Sequence, residues 1–255
     1  KNQAKYLNSP ETEVYHKSAT LYGISQAKNE IRTKDVCYLV EGYTDVISMH
    51  QAGIENVVAS SGTSLTVEQI RLIKRLTPNI TVTYDGDAAG IKAAIRGIDL
   101  ILEEDMNVRV VLLPAEDDPD SFIKREGADG FMRYRNEHIQ DFILFKAGFL
   151  QAESKKDPVK RAEAIKDIVD SIALIPDAIK RSVYIKECSQ LLDMQEQILV
   201  SEVNKIRHQK HSKQSGAPRE DNDRQVNEEV PEMEQLEAPS SLSALARQER
   251  DVVRL

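Results

Sequence analysis

Hydrophobic and polar positions in the first half of the chain alternate between two rhythms. Short β-branched runs at Val36 to Val40, Asn56 to Ala59, Ile80 to Tyr84 and Val108 to Leu113 are nearly continuous in apolar character. Runs of that length read as strands covered on both faces. Between them the apolar spacing lengthens to that of a helix, over about Thr44 to Ala52, from near Thr66, and from Gly86 or Asp87 through Leu102. In the last of these, Ile91, Ile95, Ile98 and Leu102 share one face. Thr66 followed by Gln69 fits a capping box at a helix start, after the Ser60-Ser61-Gly62-Thr63 turn. This alternation predicts right-handed βαβ crossovers and an α/β fold with a central parallel four-stranded sheet flanked by helices.

Past Asp120 the strand rhythm stops. Three amphipathic helices are predicted, at roughly Gly130 to Gln151, Pro158 to Leu174, and Ala178 to Arg207 with a break at Asp193. Asp157-Pro158 fits an N-cap with proline at the first helical position. From His211 to Ser240 the chain is polar, acidic and free of aromatics, which predicts a disordered linker. A new helical pattern begins at Ser241 and is cut off at Leu255, while Lys1 to Lys34 opens without a start signal. The expectation is a fragment truncated at both ends.

Charge changes the picture less than its total suggests. Of a net −8, the segment from Gln214 to Pro239 supplies −6, with eight acidic residues against Arg219 and Arg224. The remainder is nearly neutral, so the acidic balance argues only weakly against a nucleic-acid partner. Cys37 falls in a strand pattern and Cys188 in a helical one, neither with a zinc-ligand neighbour at the right spacing. Two buried thiols in a reducing cytosol are expected. No signal peptide and no apolar run of membrane-spanning length is present in the sequence, so a soluble cytoplasmic protein is expected.

Three acidic clusters follow the predicted strands: Glu41-Gly42-Tyr43-Thr44-Asp45, Asp85-Gly86-Asp87, and Asp117-Asp118-Pro119-Asp120. Ligands of open α/β sheets bind outside the carboxyl ends of the strands. Carboxylates gathered there repel one another, and a divalent cation with hard oxygen ligands is the natural counter-charge. Each cluster alone has a plain structural reading as a solvated turn or a helix cap. An EF-hand is excluded, because the twelfth position of the loop is Arg96. Jointly, three strand ends bearing acids point to metal-assisted phosphate chemistry, with Glu41 as metal ligand or general base. Few lysines or arginines are expected near this edge, which leaves little phosphate neutralisation.

The forms Glu41-Gly42-Tyr43-Thr44-Asp45, Asp85-Gly86-Asp87-Ala88-Ala89-Gly90 and Asp118-Pro119-Asp120 resemble the toprim domain shared by bacterial primases and topoisomerases. Together with Lys5-Tyr6-Leu7-Asn8-Ser9-Pro10-Glu11-Thr12 and His16-Lys17, they resemble the DnaG-type bacterial replicative primases in particular. The resemblance covers Lys5 to about Lys124. It implies a nucleotidyltransferase, a DNA-directed RNA polymerase laying short primers on single-stranded DNA from NTPs at the replication fork. It implies Mg²⁺, with Mn²⁺ able to substitute, held by Glu41, Asp85 and Asp87, and Asp45, Asp118 and Asp120 completing the site. Lys5, Tyr6, Asn8 and Lys17 would line the nucleotide or template approach.

Zinc is implied only in an upstream module, and contact with the replicative helicase only through a C-terminal domain. The implied organisation runs 1–35 as the end of an upstream core subdomain, 36–124 as toprim and 125–210 as a helical subdomain. An acidic linker over 211–240 and the start of a helicase-binding domain over 241–255 would follow. A monomer is expected.

Competing readings are a toprim nuclease or topoisomerase-like cleaver, a phosphatase using Asp85 as nucleophile, and a non-enzymatic helicase-docking scaffold. A topoisomerase would need a tyrosine nucleophile, for which Tyr134 or Tyr184 could be nominated. The phosphatase leaves Glu41 and Asp118-Pro119-Asp120 without a role.

Overall fold

The computed structural model describes residues 12–13, 16–60, 64–84, 88–115, 117–154 and 157–214. The predicted strands form β1 (Cys37–Val40), β2 (Val57–Ala59), β3 (Asn79–Tyr84) and β4 (Asn107–Leu112). They pair in parallel, and a two-residue strand β5 (Gln140–Asp141) adds antiparallel to β4, giving the order β2-β1-β3-β4-β5. The sequence rhythm predicts four strands; β5 is too short to carry a period, and its register sets Asp141 opposite Arg109.

Alternate strand residues feed two cores, which is why the strands read as continuous apolar runs. On one face Cys37, Leu39, Val58, Ile80, Val82, Val108 and Val110 are buried. They pack with α1 (Ile24–Lys34), α3 (Val67–Lys74) and α4 (Ala88–Glu103). On the other, Tyr38, Val40, Val57, Ala59, Val111 and Leu113 are buried against α2 (Tyr43–Gln51) and α5 (Pro119–His138). In α4, Ile98 and Leu102 are buried as the periodicity predicts and Ile95 packs beside them; the side chain of Ile91 lies outside the described set. The Thr66 capping box forms, with the Thr66 hydroxyl accepting from Gln69 N at 3.2 Å and the Gln69 side chain accepting from Thr66 N.

The helical half departs from the predicted boundaries. The predicted helix over Gly130 to Gln151 is two elements, α5 and α6 (Phe142–Ser154), parted by β5. Ile139 adopts extended angles (φ −68°, ψ 127°), and the Asp141 carboxylate then accepts from Ile143 N at 2.9 Å. α5 itself breaks at Gly127 (φ 69°), a left-handed angle that glycine takes without strain. Pro158–Leu174 forms α7 with Asp157 as N-cap, and the break at Asp193 separates α8 (Ala178–Leu192) from α9 (Glu196–Gln214).

Helices α6 to α9 extend the first core: Phe142, Ile168, Ile172, Cys188 and Leu199 join the same cluster as the sheet. A buried polar chain ties them to α4. The Lys146 ammonium, on a residue only 4% exposed, donates to Ser171 Oγ at 2.6 Å and to Asp167 O at 3.0 Å. The Ser171 hydroxyl donates to Asp99 Oδ1 at 2.6 Å. Cys37 and Cys188 are free and buried; burial raises both thiols, Cys188 to about 12, which keeps them protonated and inert. Among the described residues no helix is long and apolar enough to cross a membrane.

Candidate active site

The strand order puts β3 between β1 and β4, so the three acid-bearing strand ends are adjacent along one edge of the sheet. Glu41 follows β1 directly and is exposed. Its charge reaches Tyr84 at the end of β3: the Tyr84 hydroxyl is raised first by burial and then by Glu41. Asp85 and Asp87, which the sequence places next along the chain, lie outside the described residues, as do Lys5, Tyr6 and Asn8.

Asp45 stands in the first turn of α2 and is 7% exposed. It reaches back to accept from Gly42 N at 3.0 Å. A Cβ at position 42 would lie 2.9 Å from Asp45 Oδ2, so a larger residue there would push that carboxylate aside. Asp45 also accepts from the backbone of Asp120, which joins the β1–α2 turn to the first turn of α5. Its carboxyl is raised to about 6, chiefly by burial, with the charges of Asp118 and Asp120 adding to the shift and the two backbone bonds opposing it.

Asp118 is the N-cap of α5. Its side chain accepts from Ser121 N at 2.7 Å, and Pro119 occupies the first helical turn. Asp120, one residue on, accepts from the Ser48 hydroxyl of α2 and from Lys124 Nζ at 2.7 Å. Asp117 is held by a bidentate pair with Arg125, at 2.5 and 2.7 Å, and that guanidinium keeps its carboxyl below the usual range. Lys17 stands in a 3-10 turn clamped on α3, where its carbonyl accepts from Gln69 Nε2 at 2.9 Å. The aromatic rings of Tyr22 and Tyr43, 5.9 Å apart, bind the segment before α1 to the start of α2.

The structure thus brings Asp45, Asp118 and Asp120 within electrostatic reach of one another, with Glu41 on the same edge. Three residues of this edge escape the sequence reading: Ser48, Lys124 and Arg125. The cations at the edge, Lys124 and Arg125, are each paired with an acid of the third cluster. Lys124 stands four residues after Asp120, a helical spacing that announces its pair. Ser48 is 72 residues from Asp120, and no local pattern marks it.

The carboxylates supply hard oxygens, the donor type a divalent cation prefers. Among the described residues, however, no three acids close on a single point that would hold an ion by themselves. Tyr134, one nominated nucleophile, donates its hydroxyl to Leu112 O at 2.9 Å, and Tyr184 donates to Asp141 at the opposite end of the strands.

Comparison with known proteins accords with this geometry. Residues 38–123 match a family described as Toprim-like, and residues 1–28 match the N-terminal domain of the DNA primase catalytic core. A DNA primase of Listeria innocua is 40% identical over 192 residues, covering 74% of this chain. The chain belongs to the DnaG-type bacterial primase family. It spans 31% of the length of that relative. A DNA primase domain from Pseudomonas aeruginosa is similar in structure, with a TM-score of 0.71 and 33% identity over 81% of this chain and 64% of that one. A DnaG primase catalytic domain bound to single-stranded DNA gives 0.66 and 32%, covering 74% of this chain and 62% of that one. Residues 155–197 match the DnaB-helicase binding domain of primase, upstream of Ser241, where the sequence reading begins such a domain. In this chain that match falls on α7, α8 and the start of α9.

Proposed function

We propose that this chain carries the phosphoryl-transfer centre of an enzyme that makes short RNA primers on single-stranded DNA from NTPs. The observation that carries the reading is the meeting of Asp45, Asp118 and Asp120 beside Glu41 at the carboxyl edge of a primase-family sheet. Mg²⁺, replaceable by Mn²⁺, would be held by Glu41, Asp85 and Asp87 with the other three acids around them; when bound it supplies charge neutralisation at the transferring phosphate.

The chain's own residues position the rest. Glu41, exposed at the end of β1, would accept a proton from an attacking hydroxyl. Asp45 fixes the α2 and α5 termini against each other, which sets the spacing of the acidic edge. Lys5, Tyr6, Asn8 and Lys17 belong, on this reading, to the approach for nucleotide or template. The relative solved with single-stranded DNA supports such a template.

The test is Mn²⁺ titration of the chain by calorimetry, beside Asp85→Asn and Glu41→Gln, with circular dichroism as the folding control. Saturable binding that both substitutions abolish without loss of helix supports the centre. Absence of binding in the unaltered chain overturns it.

The family match over 155–197 also supports a helicase partner. Ile179 and Val183, one helical turn apart on α8, are 78% and 55% exposed, an apolar pair turned to solvent. Ile179→Glu with Val183→Glu should weaken capture of the replicative helicase. Unchanged capture removes this face from the contact.

A further inference from the structure

At the end of the sheet opposite the acidic edge, the starts of β1, β3 and β4 surround a cavity of about 440 Å³. Its walls hold the cations Lys34, Arg109 and Arg135 and the carboxylates Asp35 and Asp141. The two acids are already engaged. Asp35 accepts from Thr77 Oγ1 at 2.8 Å and from Asn79 Nδ2 at 3.0 Å. Asp141 accepts from the Tyr184 hydroxyl at 2.6 Å and from Ile143 N and Leu144 N.

The cations are less occupied. Lys34 has a partly exposed surface partner in Glu30 at 3.2 Å. Arg109 makes no ion pair among the described residues, although Asp141 stands opposite it across the β4–β5 ladder and acts on it electrostatically. Arg135 donates from Nη1 to Asn136, while its buried Nε meets no acceptor among the described residues. A buried donor left without a partner costs free energy, so the Arg135 guanidinium is held with unused hydrogen-bonding capacity. Two guanidiniums on one polar cavity form the donor array that recognises phosphate oxygens.

We propose that this cavity binds a compact phosphate-bearing anion, up to a nucleoside monophosphate in size, through Arg109 and Arg135. The volume accepts such a ligand and excludes a duplex. The amides of Asn79 and Asn107, linked to each other at 2.8 Å, and the Tyr184 ring supply a polar wall beside the phosphate position. The site is built on the starts of the strands whose far ends carry the acids, so it is separate from the metal edge and its ligand does not compete there.

The test is calorimetry of the chain in chelator with inorganic phosphate, pyrophosphate and adenosine monophosphate, and with adenosine as the phosphate-free probe. Binding of the phosphate probes and not of adenosine is expected. Arg109→Gln and Arg135→Gln should each weaken it by roughly tenfold or more, the loss of one charge-assisted contact. Lys124→Gln, at the opposite edge, should leave it unchanged. Tighter binding of the nucleotide than of phosphate would assign the ligand as a nucleotide; equal affinity would assign phosphate itself. The proposal is overturned if no phosphate probe binds, or if binding survives in both arginine variants shown by circular dichroism to be folded. Phosphate soaked into crystals and seen away from Arg109 and Arg135 would overturn it equally, whatever the variants do.

Discussion

Replacing Lys146 by methionine tests how the helical half is held to the sheet. The ammonium is buried and donates to Ser171 Oγ and Asp167 O, while the Ser171 hydroxyl passes the interaction to Asp99. Removing one member of a buried charged set typically costs about 3–5 kcal/mol. Two features lower that figure here. Methionine keeps the aliphatic stem packed, and Asp99 is only partly buried, with the charge of Lys210 also acting on it. The expected loss is therefore about 2–3 kcal/mol at neutral pH.

The loss should depend on pH. Burial raises the Asp99 carboxyl and Lys146 opposes that shift, so the substitution raises it further. A raised folded-state carboxyl means that stability falls as pH rises through its titration. The cost of Lys146→Met should be greatest above neutrality and shrink in acid, where Asp99 is protonated. Urea unfolding of Lys146→Met, Ser171→Ala and the double variant is the assay, read as a midpoint shift at constant slope. Because the two residues share one bond, the double variant should cost less than the sum by about 1 kcal/mol or more. A Lys146→Met protein within about 0.5 kcal/mol of the parent, or strict additivity, would refute the network.

Two further predictions concern the acidic edge. Asp45→Asn keeps an acceptor for Gly42 N but removes a carboxyl raised from 3.8 to about 6. The unfolded chain then binds fewer protons than the folded one between those values, so the ionised group costs stability above about pH 6 and nothing below about pH 4; the substitution should stabilise metal-free protein by up to about 3 kcal/mol at pH 8 and not at pH 4. Equal thermal shifts at both pH values would contradict this. Asp118→Ser should preserve the α5 cap while weakening Mn²⁺ binding, whereas Asp118→Ala should also lose about 1 kcal/mol of stability. A serine variant that binds Mn²⁺ as the parent does would leave Asp118 a cap alone.

The sheet is legible in the sequence because both of its faces are covered, and each strand boundary falls within a residue of the apolar run. The Thr66 and Asp157 caps are legible because a side-chain oxygen and its partner stand a few residues apart. The start of α5 carries the same signal as α7, an aspartate before a proline, yet Asp118 reads first as a metal ligand because its neighbours are acidic. Helix and site compete for that residue, and the structure gives it the capping bond. β5 and the Ser48–Asp120 contact are illegible for another reason. They exist only once distant elements have packed, β4 against the chain after α5 in one case and α2 against α5 in the other.

That competition bears on how the edge works. Asp45, Asp118 and Asp120 each hold a helix terminus or a neighbouring element, so the carboxylates are fixed by the fold before any ion arrives. Preorganisation of this kind lowers the cost of gathering like charges when an ion binds. It also divides the labour along the edge. Glu41 is exposed at a strand end, with no cap to maintain, whereas Asp118 cannot leave its amide without loosening α5. On the proposed function, the proton-handling role would fall to Glu41, with the capping acids as fixed charge. Metal affinity should follow substitutions at either set, but only those at the caps should also move the melting temperature of α5.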